Sequence, residues 1–107
     1  MSNISRLSPL NVDDEILRGY LFKTVLEQAN DKTNTDYTEY EIKQDEEYRP
    51  DLVSQRLYKT PDLRWVVSLL ADVEDEADPL PIGSVFRFPS IVWLREQIRH
   101  FADGGGL

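Results

Sequence analysis

Asp72, Glu74, Glu76 and Asp78 stand at alternate positions, with Asp75 among them, and they are the residues of this chain that most resemble a metal-binding loop. A calcium loop of that spacing also needs glycine at its sixth place and glutamate at its twelfth. Ala77 and Gly83 occupy those places, so the run reads instead as a solvated acidic loop or a surface for a basic partner. The 20 acids supply many conceivable carboxylate pairs of the kind that cleave glycosides, but no spacing singles out one pair. His100 is the sole histidine and lies beside Phe101 near the end of an expected helix, without a serine or cysteine nucleophile setting. It therefore reads as a helix C-terminal cation. Cysteine is absent, which removes thiolate chemistry, disulfides and Cys-based metal sites. No catalytic residue, metal or cofactor is expected, and the chain is not expected to be an enzyme.

Recognition is the chemistry that remains. Trp65 is expected in the core, with an exposed hot spot as the competing role. Trp93 falls off the apolar stripe of the last helix and is a candidate contact with a neighbour. Arg95 and Arg99, four apart on that helix, are candidates for pairing with the acids Asp45 to Glu47 or with an adjacent subunit.

The elements that position these residues are readable from local signals. Met1 to Leu10 is polar and reads as an arm that needs a partner to become ordered. Residues 14–28 fit either one helical face (Ile16, Leu17, Tyr20, Leu21) or a strand. The strand formers from Tyr20 to Glu27, together with Gly19, tip the expectation to a strand over about 20–27. Asn30 to Thr38 reads as a loop, and the alternating run Tyr37 to Ile42, with Tyr40 and Ile42 on one face, as a short half-buried strand.

Arg49-Pro50-Asp51 opens a helix with Leu52, Val53 and Leu57 inward, closed by Tyr58. Thr60-Pro61-Asp62 opens another with an N-cap, a first-turn proline and an acid. Leu63, Val66, Val67 and Leu70 form its stripe, with Trp65 and Leu69 beside it. Asp78 to Gly83 makes a stiff turn into the alternating strand Ser84 to Pro89. From Ser90 a last helix carries Ile91, Leu94, Ile98 and Phe101 on one face and ends at Gly104-Gly105-Gly106.

At 107 residues and a net charge of −8, the chain has room for one modest core. Its charge disfavours nucleic acid and anionic membranes and favours a basic partner. The apolar run Trp65 to Ala71 is far shorter than the ~20 residues of a membrane span, and no secretion signal opens the sequence, so an intracellular product is expected.

Over residues 40–89 the motifs Tyr40-x-Ile42, Tyr48-Arg49-Pro50-Asp51-Leu52, Leu57-Tyr58, Thr60-Pro61-Asp62-Leu63-x-Trp65-Val66 and Leu80-Pro81-Ile82-Gly83-Ser84-Val85-Phe86-Arg87-Phe88-Pro89 follow one another in order. This segment, about half the chain, resembles the LysM-like domain of small baseplate proteins, the wedge and ripcord class, from contractile-tailed bacteriophages. Tyr20-x-Phe22 resembles the short strand that precedes the domain there. Four positions depart from the pattern: Gln44 and Lys59 stand where glycine is common, Arg64 where an aromatic is frequent, and Asp72 where asparagine is usual.

The resemblance implies an α+β fold in three parts. Residues 1–36 form an N-terminal arm and strand, 37–89 a LysM-like βααβ domain, and 90–107 a C-terminal amphipathic helix with a glycine tail. Pro50, Leu57, Tyr58, Pro61, Trp65, Gly83, Phe88 and Pro89 would determine the fold, and Tyr20, Phe22, Trp93, Arg95 and Arg99 would form the protein interface. It further implies a structural virion component, made in the host cytoplasm, that links tail tube, sheath initiator and wedge proteins in six copies. A LysM-type peptidoglycan-binding module is the alternative.

Overall fold

A side-chain cap or a first-turn proline marks the start of the helices that begin at Glu15, Pro50 and Ile91, and of the 3-10 turn before Arg64, in the computed structural model, which describes residues 6–31, 33, 36–75 and 77–104. Helix α1 spans Glu15–Asn30, strand β1 Tyr37–Glu41, α2 Pro50–Tyr58, α3 Arg64–Leu70, β2 Val85–Pro89 and α4 Ile91–Ala102. The fold is thus mixed α+β, with four α-helices and one two-stranded antiparallel sheet among the described residues. The strands pair from Tyr37 opposite Pro89 to Glu41 opposite Val85, and the Ile42 amide donating to the Ser84 carbonyl at 3.0 Å extends the ladder.

The strand expected over residues 20–27 is not formed. That segment lies inside α1, and the expected likeness of Tyr20-x-Phe22 to a preceding strand fails with it. Two features outweigh the local strand propensity. The Asp14 carboxylate accepts from the amides of Ile16 (2.8 Å) and Leu17 (3.4 Å), capping the helix start. Leu17, Leu21, Val25 and Ala29 then fall every fourth residue on one buried ridge. The loop expected from Asn30 begins later than that, because Asn30 still belongs to α1, while β1 begins at Tyr37, where the alternating run begins.

Proline-opened starts follow the sequence reading. Pro50 begins α2, and Thr60 caps a 3-10 turn, Pro61–Leu63, that runs into α3. Both helices end on non-glycine residues with left-handed backbone, Lys59 (φ 65°) and Asp72 (φ 56°). After α3 the Asp72 amide bonds the Leu69 carbonyl and the Val73 amide the Ser68 carbonyl, the paired bonds of a Schellman ending. Ser90 caps α4 by accepting from the Trp93 amide at 3.2 Å, and Gly104 (φ 107°) follows its end. Gly105 and Gly106 lie outside the described residues.

One core joins the three expected parts. Of the fifteen buried apolar side chains among the described residues, α1 supplies Leu17, Leu21, Val25 and Ala29, and α4 supplies Leu94, Ile98 and Phe101. The flanking helices therefore complete the interior. Phe88 is its aromatic hub, edge-on to Tyr40 (6.4 Å), Tyr58 (6.3 Å) and Phe86 (6.3 Å).

The described part of the arm also finds its partner within the chain. Val12 is fully buried, the Arg18 guanidinium donates to its carbonyl at 3.0 and 3.1 Å, and the Trp65 indole N–H donates to the Leu7 carbonyl at 2.7 Å. Met1 to Ser5, also assigned to the arm, lie outside the described residues.

Candidate protein-interaction surfaces

Phe22 and Trp65 build the first surface. Phe22 projects from α1 and Trp65 from the start of α3, and their rings meet at 5.7 Å with a 49° tilt. Together with Ser68, Leu69, Asp72, Val73 and Glu74 they line a cleft of about 500 Å³. Its walls are apolar and its rim is acidic, the composition that suits a positively charged group on an apolar stem. Ser68 Oγ sits beneath the floor without a hydrogen-bond partner among the described residues. Trp65 is therefore neither wholly core nor wholly exposed: one part of the ring packs on the core and ties down Leu7, while another faces the cleft.

The second surface is basic. Arg95 and Arg99 project from the exposed side of α4, opposite Leu94, Ile98 and Phe101. With Arg6, Asn11, Ile98 and Ala102 they line a cleft of about 420 Å³ between α4 and the N-terminal segment. Val92, 59% exposed, continues the same helix side, and a shallower depression of about 190 Å³ joins it to Arg95, Glu96 and Arg99. Among the described residues, no ion pair involves Arg95 or Arg99.

The acids suggested as their partners are engaged elsewhere. Asp45 meets the Arg56 guanidinium in two parallel bonds (2.6 and 3.1 Å), and Arg56 also donates to Glu46 at 2.9 Å. Glu46 is fully buried although it stands between two other acids, Asp45 and Glu47. Its carboxylate also accepts from the Lys43 amide at 2.7 Å and, through a short bond, from the Tyr40 hydroxyl. The Arg56 guanidinium beside Asp45 holds that carboxyl below its ordinary range. Burial, reinforced by Glu46, pushes the Tyr40 hydroxyl up to about 12.

Of the residues named from sequence, the structure brings Phe22 to Trp65 and Arg95 to Arg99, and it separates Tyr20 from both sites. Tyr20 is half exposed on α1, where a helical turn sends it and Phe22 to different sides. Trp93 is half-buried and packs against the core cluster. The sequence reading missed Leu69, Val73 and Arg6 as surface-forming residues. It also missed Glu46 and Ser54 as buried polar anchors: Ser54 is a small polar residue set within the apolar pattern of α2, whereas Glu46 stands in an acidic run that gives no such signal.

Among the described residues, no group of three or more histidine, cysteine or acidic side chains is placed to hold a metal ion, and Glu76 lies outside them. No described helix is long and apolar enough to cross a membrane. No protein-family model, curated protein or solved structure matches the chain.

Proposed function

We propose that the protein is a non-enzymatic structural component of a contractile-tail baseplate in a bacteriophage virion. Its LysM-like βααβ segment, residues 37–89, would form the scaffold, and its flanking helices would join tail tube, sheath initiator and wedge proteins. Six copies per virion follow from the same resemblance.

The observation that carries this reading is the agreement between two sequence departures and the backbone. Glycine is common in the resembled family where this chain has Lys59, and asparagine is usual where it has Asp72. These are the two residue types that most readily take a left-handed conformation, and Lys59 and Asp72 are the two non-glycine residues with positive φ among those described. The strand, two proline-opened helices and antiparallel closing strand support it in the same sense.

The alternative is a LysM-type module that grips peptidoglycan. It is favoured by Tyr48 (57% exposed) and Ile82 (46% exposed), which lie in the two connections that the Leu80 amide ties together by donating to the Glu47 carbonyl at 2.6 Å.

One experiment separates the readings. The tagged chain is co-expressed with the tube, sheath-initiator and wedge proteins encoded near its gene, and separately incubated with insoluble peptidoglycan. Co-elution with at least one tail protein and no retention on the glycan is the expected result. Retention on glycan without co-elution selects the alternative, and neither outcome on either arm overturns both.

A further inference from the structure

Two unpaired surfaces of this chain complement one another, and no other described part of the molecule fills either. The outer face of α4 presents Val92, Arg95, Glu96 and Arg99 at successive offsets 0, 3, 4 and 7, the anchor spacing of a helix that lies in a groove. The cleft between α1 and α3 offers aromatic and aliphatic walls from Phe22, Trp65, Leu69 and Val73, with Asp72 and Glu74 at its rim.

We propose that copies of this chain associate head to tail, the α4 face of one seating in the Phe22–Trp65 cleft of the next. Val92 enters the apolar part of the cleft. Arg95 and Arg99 lie against the aromatic rings and pair with Asp72 and Glu74, where guanidinium groups gain both ring stacking and carboxylate contact. The contact also offsets a cost built into the free helix, since two like charges four residues apart repel each other.

Leu94, Ile98 and Phe101 turn the opposite side of α4 into the core of the same copy, so its outer face points away from that copy's interior. The two patches are different surfaces, which makes the contact heterologous: it propagates unless the rotation between copies closes a ring. This inference draws nothing from the tail assignment.

Sedimentation velocity on the full chain tests it, from about 5 to about 500 µM protein and at about 50 and about 500 mM NaCl. The mass should rise with concentration above the 12.4 kDa of one chain, and the association should weaken at least about tenfold at the higher salt. Arg95→Glu with Arg99→Glu removes the helix face, whereas Asp72→Asn with Glu74→Lys alters the cleft rim while keeping a residue suited to the left-handed turn at position 72.

Each double variant alone should sediment as a single chain. Their equimolar mixture should form a one-to-one pair and stop there, because it retains one intact cleft and one intact helix face. Should a double variant fail to fold by circular dichroism, Val92→Ser on the exposed helix face, or Glu74→Lys alone on the exposed rim, supplies the corresponding loss. A wild-type chain that stays single at every concentration overturns the proposal, as does association within either variant alone or a mixture that does not pair. Such a result would leave co-elution with tail proteins untouched, and a failure of co-elution would leave this association untouched.

Discussion

Ser54 and Glu46 are polar side chains without exposed surface, and each secures a junction between elements. The Ser54 hydroxyl donates to the Thr60 carbonyl and accepts from the Leu63 amide, clamping α2 onto the turn that begins α3. Ser54→Ala leaves a buried acceptor and donor unmatched, and urea denaturation should show a loss of about 1–3 kcal/mol. Ser68→Ala should be neutral or mildly stabilising, because its hydroxyl is buried without a partner among the described residues and no bond is lost.

The Tyr40 hydroxyl, raised to about 12 by burial and by Glu46, gives a pH signature. A hydroxyl whose folded value lies above the unfolded one adds stability that is intact below ~10 and lost as pH rises through about 12. Ultraviolet titration should show delayed tyrosinate formation, with Tyr58, also raised by burial, delayed as well. Conversion of every tyrosine near its ordinary value would contradict this environment. None of these partnerships was legible in the sequence: Glu46 sits among three consecutive acids, and its link to Tyr40 and Arg56 exists only once β1 and α2 are folded together.

Helices α2, α3 and α4 were legible because their starts are written in a few adjacent residues: Arg49-Pro50-Asp51, Thr60-Pro61-Asp62 and Ser90. Helix α1 was not. Its buried ridge is one residue wide per turn, while Ile16 (71% exposed) and Tyr20 put apolar side chains on the outer side, blurring the period that separates helix from strand. The cleft was only partly legible. Trp65 and Phe22 were each noted, but their meeting depends on α1 being a helix packed against α3.

The same element carries a correctable weakness. Gly19 lies mid-helix, and a Cβ added there meets nothing within 4 Å. Gly19→Ala should raise stability by about 0.5–1 kcal/mol. Lys59→Gly at the left-handed end of α2 should act in the same direction by a similar amount, and thermal melts of both variants provide the check.

At the scale of the whole molecule, the core draws on residues from Val12 to Phe101, so neither flanking segment is an appendage. The resemblance divides the chain into three parts, with boundaries near residues 36 and 90, and side chains of all three share one interior. The 3-10 turn Pro9–Asn11 touches α4, and Arg6 lines the same cleft as Ala102, so the beginning and end of the described chain are neighbours in space.

That adjacency permits the order of the polypeptide to be rewired. A circular permutant that joins the two ends through a short glycine-rich bridge and opens between Asp31 and Asp36 keeps the interior intact while converting the contact of α1 with α4 from remote to local. Lower contact order predicts quicker refolding in stopped-flow fluorescence of Trp65 and Trp93. A permutant that collapses no faster than the parent would mean that this long-range closure is not the slow step, and that the search is limited elsewhere along the chain.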